Sequence, residues 1–320
     1  LKGAGMQVSV DSLQPEELLR GGRAGADFLL SLTDETLWIA NEVASTPVVI
    51  PTQQGDLASL FRCLEHFMAL GRPVIADSVL DPIHFGFGES LQRYANLRRQ
   101  YPQVDVLMGI GNVTELTDAD TTGINAVLFG LISELGIRNV LTTEVSDHAR
   151  SVVREADRAR RIMYAARGEG SLPKGLDAGL LATHDKKPFP YTAEEIAELA
   201  ADIRDPSYRV QVSNEGIHVF NRDGLVTGTD PFAIFPGLTL LDGDAPHAFY
   251  MGVELERARI AWQLGKRYVQ DEPLRWGVTV SEARLGKSGS AHAPDKDAYD
   301  PGGGTLTASR AKRGRKRKPA

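Results

Sequence analysis

The chain has 320 residues, 42% of them hydrophobic and 24% charged, the balance of a globular protein with one large domain or two smaller ones. Its single cysteine, Cys63, excludes an internal disulfide, and no apolar run approaches the roughly 20 residues of a membrane-spanning helix. Six basic residues between Lys312 and Lys318, set against a net charge of −6, leave an acidic body, which is unlike a nucleic-acid-binding domain.

Six short apolar runs recur in the first half, at residues 6–10, 27–32, 47–50, 73–76, 105–108 and 138–141. Each is followed by a stretch long enough for a helix. Pro15-Glu16-Glu17 suits a helix start. Residues 56–70 place Leu57, Leu60, Phe61, Leu64 and Met68 on one face, with Cys63 read as a packing residue, and 148–167 repeat small apolar residues at three- and four-residue steps. Strands alternating with amphipathic helices imply a parallel α/β sheet. Asp11, Asp77, Asp81, Asn112 and Glu144 stand at or just past the C-terminal ends of these runs, the rim where a parallel βα barrel binds its ligands.

Residues 168–191 are broken by glycines and prolines and read as a linker. Thr192 with Glu195 forms a capping box for a short helix to residue 203, then 208–213 and 216–221 alternate as a hairpin around Asn214-Glu215. Asp223-Gly224 starts another turn, and a helix is expected over 248–268. From residue 286 the composition is Gly, Ser, Pro and charge and predicts disorder. The organisation is therefore a βα barrel portion at 1–167, a linker at 168–191, a small α+β domain at 192–285 and a basic tail at 286–320. The localisation expected from these features is cytoplasmic.

Three segments carry chemistry. In Val8-Ser9-Val10-Asp11-Ser12 an Asp follows a strand and serves either the mouth or a helix cap. In the second, 76–88, Pro82 keeps Asp81 out of helical geometry, while Gly86 and Gly88 allow close backbone approach to a ligand. A carboxylate in such a loop accepts both N–H donors of a pterin or guanine edge. In Gly109-Ile110-Gly111-Asn112-Val113-Thr114 a Gly-rich turn exposes N–H groups and Asn112 offers a donor and an acceptor. His84, His148 and His247 lack a metal-ligand spacing, and Gly286-Lys287-Ser288 lacks the upstream glycine of a phosphate loop.

These segments, in this order, resemble the pterin-binding barrel family, which includes dihydropteroate synthases and the methyltetrahydrofolate methyltransferases that serve corrinoid proteins. Val10-Asp11-Ser12 is similar to the motif ending that family's third strand. Asp81-Pro82 with Gly86-Phe87-Gly88 is similar to the loop after its sixth, and Gly109 to Thr114, with Ile124-Asn125 following, to the seventh-strand region of the methyltransferases. The resemblance implies a partial TIM barrel made of strands three to eight, with two βα units preceding Leu1. It also implies that Asp11, Asp81 and Asn112 bind the pterin ring, with Gly86, Gly88, Gly109 and Gly111 shaping the loops and Asp77, Asn125 and Glu144 as secondary site residues. A reduced pterin is then the substrate or cofactor, a homodimer or a corrinoid or one-carbon pathway protein the partner, and pterin-dependent transfer the activity.

The departures narrow the chemistry. Where synthases carry a basic Ser-Arg-Lys segment, this chain has 111–115, and Glu144 stands where they carry an Arg near the end of strand eight. The Asn of strand four is missing from Leu29-Leu30-Ser31. Segments 245–258 and 268–274 resemble an uncharacterised domain that follows such barrels in methanogens and methylotrophic bacteria, which points to tetrahydromethanopterin. Two alternatives stay open: a non-catalytic pterin-binding or assembly subunit, and an unrelated barrel enzyme holding Mg²⁺ on Asp77, Asp81 and Glu115.

Overall fold

The computed structural model describes residues 1–239 and 244–285. The basic tail and Gly286-Lys287-Ser288 lie outside the described residues. The chain divides into two compact units, Leu1–Leu180 and a second that begins at Leu181.

In the first unit, strands alternate with helices as the hydrophobic spacing predicts. β1 (Ser9–Asp11) leads to α1 (Pro15–Arg23), β2 (Phe28–Leu32) to α2 (Ile39–Glu42), and β3 (Thr46–Val49) to α3 (Leu57–Ala69). β4 (Ile75–Ala76) leads to α4 (Phe87–Gln100), β5 (Asp105–Gly109) to α5 (Gly111–Thr114) and α6 (Thr121–Glu134), and β6 (Asn139–Leu141) to α7 (Val152–Glu169). All six strands are parallel and lie in sequence order, each beside the next. A doubly wound sheet reverses its strand order partway; this one never does, so it is the sheet of a partial βα barrel.

Strand alternation separates two apolar layers. Leu30, Val48, Ile75 and Leu107 cluster on the inner face. Their neighbours Leu29, Val49, Ala76 and Val106 pack outward with Leu60, Leu64, Phe67 and Leu97 of the helices. Asp56 caps α3 by accepting from the Ser59 N–H at 3.2 Å. Cys63 is fully buried in that helix as a packing residue, and burial pushes its thiol up to about 12, which disfavours the thiolate.

Several boundaries differ from the expected ranges. The first strand begins at Ser9 and takes Asp11 into the ladder opposite Leu30, and β4 keeps only Ile75–Ala76 of the expected 73–76. The helix expected from residue 148 begins at Val152, after a 3₁₀ turn at Asp147–Ala149.

The second unit is α+β. α8 (Ala193–Asp202) starts at the Thr192–Glu195 capping box, with both reciprocal hydrogen bonds present. β7 (Arg209–Ser213) and β8 (Gly216–Asn221) form the expected hairpin. β9 (Gly224–Gly228) adds a third antiparallel strand where the sequence shows only a turn, its alternation hidden by terminal glycines. α9 (Pro231–Ile234) follows, and α10 (Ala245–Leu264) starts at the Asp244 cap and ends at Gly265, φ +58°, short of the expected residue 268. Segments 245–258 and 268–274 meet in a buried polar network. Tyr268 donates to Glu254 at 2.6 Å, Tyr250 to Asp271 at 2.9 Å, and Gln270 to the Tyr250 hydroxyl at 2.8 Å. Among the described residues no helix is long and apolar enough to cross a membrane.

Candidate functional site

Parallel pairing sends all six strands toward one rim, and the ladder runs slightly past several strand ends. The Ser12 N–H donates to Leu30, Asp77 to Val49 and Ile110 to Leu141, each at 2.9 Å. Period-2 alternation continues the inner face upward through Asp11, since Val10 belongs to the outer layer, whereas Asp77, just past the end of β4, is engaged by Tyr94 of the outer core.

Asp11 is exposed and makes no side-chain hydrogen bond among the described residues. It does not cap the helix that follows. Ser12 organises that turn instead, accepting from the Gln14 N–H at 3.0 Å and donating to Glu17 at 2.5 Å. Asp11 is thus a free carboxylate at the mouth.

The loop after β4 is the most constrained part of the rim. Asp77 Oδ1 accepts from the Tyr94 hydroxyl at 2.5 Å and from the Val79 N–H at 2.8 Å. Burial raises the Asp77 carboxyl to about 6, against the lowering effect of these two donors. Val79 has φ +65°, a left-handed conformation that is strained for a β-branched residue. Arg93 braces it from α4, donating to the carbonyls of Ser78 at 3.2 Å and Val79 at 3.0 Å and forming an ion pair with Asp81. Asp81 is 5% exposed, so the pair is nearly buried, meeting solvent at the cleft beside it.

The glycines serve different ends. Gly86 has φ +112°, and a Cβ there would lie 2.9 Å from Asp81 Oδ2 and 3.1 Å from Gln54 Nε2. Gly88 lies inside α4 with open space around it. Gly109 ends β5 and is likewise open, while Gly111 has room for a Cβ 3.4 Å from the Thr143 hydroxyl. The N–H groups of Val113 and Thr114 go to Ile110 O, so they are not offered to an anion.

Asn112 is exposed on α5, and its Nδ2 donates to Leu80 O at 2.8 Å. That bond brings it to the Asp81 loop and leaves its carbonyl oxygen for a ligand. Asn125 is elsewhere. It is fully buried on α6, donating at 3.0 Å to Glu155 of α7, which also accepts from Thr121 at 2.6 Å and Ser151 at 2.7 Å. Glu144 accepts from the Val153 N–H at 3.1 Å and so serves the start of α7.

Glu115 is consumed by structure. Burial would raise its pKa, but the N–H groups of Val145 and Ser146 and the hydroxyls of Ser146 and Thr143 hold it down at about 2. With Glu115 tied to the β6 loop and Asp81 paired with Arg93, the Mg²⁺ set of Asp77, Asp81 and Glu115 is not assembled. Among the described residues no group of three His, Cys, Asp or Glu side chains is placed to hold a metal ion.

Hydrogen bonds link the loops in series. Thr52 donates to Asp34, and Arg62 donates to the same carboxylate at 2.5 Å. Gln54 donates to Phe85 O at 2.7 Å, Asn112 to Leu80 O, and the His148 ring meets Thr114 O at 3.0 Å. A polar cleft of about 400 Å³ opens beside the Asp81–Arg93 pair, lined by Gln54, Gly86, Glu89, Gln92, Arg93 and Asn96. Arg93 and Tyr94 hold the 77–81 loop, and the sequence alone did not single them out. The signal was there: Ser90, Tyr94 and Leu97 form an i, i+4, i+7 stripe on a polar helix, and Arg93 flanks it.

No protein-family profile matches the chain. An uncharacterized protein of Methanocaldococcus jannaschii, MJ0107, is 27% identical over 304 residues, covering 83% of this chain. The chain spans 58% of that relative's length. A solved structure of dihydropteroate synthetase with product has 16% identity and a TM-score of 0.36, over 51% of this chain and 72% of that one.

Proposed function

We propose that the rim of the first unit binds a reduced pterin, and that the protein is a dihydropteroate synthase-like transferase of tetrahydromethanopterin or folate-type one-carbon metabolism. The observation that supports this reading is a parallel sheet whose strands all end at one rim, where Asp11 is an unengaged carboxylate and the Asn112 amide secures the 77–81 loop through Leu80 O. A flat ring with adjacent N–H and C=O groups needs such a set of acceptors and one amide. Asp11 and Asn112 contact the ring, the loop carrying Asp77 and Asp81 closes one side, and Gly86 lets that loop fold tightly.

Calorimetric titration of the full chain with a tetrahydropterin tests the reading. Binding is expected, with Asp11→Ala and Asn112→Ala each weakening it by roughly 10-fold or more, the scale of one lost polar contact. Binding that neither substitution changes removes the assignment.

A second reading, a non-catalytic pterin-binding subunit, is favoured by one specific observation. Glu115 and Glu144, near the places where the resembled synthases carry cations, are engaged with backbone N–H groups and offer a pterin diphosphate no positive charge. Turnover with pterin diphosphate plus an arylamine, and with a methylated pterin plus a corrinoid protein, separates the two. Product in either assay establishes the transferase.

A further inference from the structure

The 77–81 loop concentrates strain, burial and a carboxylate in one place. Val79, β-branched, sits at φ +65°. Its conformation is pinned at both ends: its N–H donates to Asp77 Oδ1 at 2.8 Å, and its carbonyl accepts from Arg93 at 3.0 Å. Strain of this kind persists only where the surroundings over-determine it, and such places cluster where a side chain must be presented in one pose. Here the presented group is Asp77. Both of its hydrogen bonds fall on Oδ1, from Tyr94 and Val79. Oδ2 has no partner among the described residues and is not sealed from solvent. Asp77 stands one residue past the end of β4, at the rim that the parallel strands share with Asp11.

We propose that Tyr94 and Arg93 are positioning residues that lock this loop so that Asp77 presents Oδ2 at the mouth, where it exchanges a proton with a ring nitrogen of the bound heterocycle. The O–H bond of the carboxylic acid breaks as the N–H bond forms, leaving a carboxylate and a protonated ring; the reverse step restores both. The inference rests on the ring-binding reading above and adds a role that the resemblance gives to none of these residues. Asp81 is unsuited to the task, because its Oδ2 is already paired with the Arg93 guanidinium.

The surroundings agree. Burial lifts the Asp77 carboxyl to about 6, close to where a proton exchanger works best. The groups facing it are the Tyr94 hydroxyl from α4 and the Val79 N–H of its own loop. The nearby Arg93 is spent on Ser78 O, Val79 O and Asp81, and Asn112 on α5 is uncharged. No cation therefore holds Asp77 ionised.

Carboxyl-carbon NMR titration of the full chain tests the positioning claim without any ligand. One aspartate resonance, lost in Asp77→Asn, is expected to titrate near pH 6. Tyr94→Phe keeps the ring and removes only the hydroxyl, so that midpoint is expected to rise by about one pH unit, the scale of a hydrogen bond to a charged group. An ordinary midpoint near 4, or one unmoved by Tyr94→Phe, overturns the positioning claim. Ultraviolet titration of a tetrahydropterin bound to the full chain tests the exchange. The bound ring is expected to stay protonated to a higher pH than the free ring, a shift that Asp77→Asn abolishes. Binding with no such shift overturns the exchange while leaving the ring-binding reading intact. Failure to bind between pH 5 and 8 overturns both, and the NMR result still decides the positioning.

Discussion

Arg93 on α4 reaches across to Asp81 and forms an ion pair in which both residues are less than a tenth exposed. The same guanidinium also satisfies the carbonyls of Ser78 and Val79. Arg93→Gln leaves a buried carboxylate without its counter-charge, and breaking a buried pair this way costs roughly 3–5 kcal/mol. Urea denaturation reads the loss. The double variant Arg93→Gln with Asp81→Asn is expected to lose less than Arg93→Gln alone, because the stranded charge is gone.

Asp77 gives stability a pH dependence opposite to that of a salt-bridged carboxylate. Its folded pKa, about 6, lies above the ordinary value near 4, so between those limits the folded chain holds a proton that the unfolded chain has released. Stability therefore falls as pH rises from about 4 to about 6, then levels off. Asp77→Asn removes this dependence and is expected to be the more stable protein at pH 7, by on the order of 3 kcal/mol at most. Denaturation midpoints of the two proteins at pH 4, 5, 6 and 7 test the sign.

Gly86 and Gly88 sit two residues apart and predict opposite outcomes. Alanine at 86 meets both an unfavourable φ of +112° and the Asp81 carboxylate at 2.9 Å, and costs roughly 1–3 kcal/mol. Alanine at 88 enters open space inside α4 and stabilises by up to about 1 kcal/mol. Thermal melts of the two single variants distinguish them.

Glu155 accepts three hydrogen bonds while 1% exposed, from Thr121, Asn125 and Ser151. Glu155→Ala strips the acceptor from three buried donors and leaves a hole, at a cost of roughly 2–4 kcal/mol. Amide exchange should speed up in α6 and α7 before it does in β3 and β4. Equal acceleration everywhere would show that the loss is global.

The fold was legible because it rests on spacing. Apolar runs at strand length and stripes at helical steps placed the six parallel strands and their helices, since burial is what those periods encode. The Thr192–Glu195 box was legible for the same kind of local reason. Partnership was not. Asp81 and Asn112 read as ring-binding residues from their position, yet in the folded chain Arg93, twelve residues on, claims Asp81. Asn125 shows the limit most clearly. As half of an Ile-Asn pair it looked like a mouth residue, but it faces Glu155, thirty residues later, across α6 and α7. Sequence spacing fixes which face of an element a residue occupies, whereas the partner on that face comes from a distant segment.

The serial stitching of the rim, from Asp34 through Thr52, Gln54, Phe85, Leu80 and Asn112 to His148, has a thermodynamic corollary. Loops tethered to one another before a guest arrives have already given up most of the freedom that docking would otherwise take from them, so more of the contact energy survives as affinity. It also means that Gln54, far along the chain from Asn112, is mechanically its second neighbour. Cutting that single side-chain tether would loosen the lip on both sides of the cut.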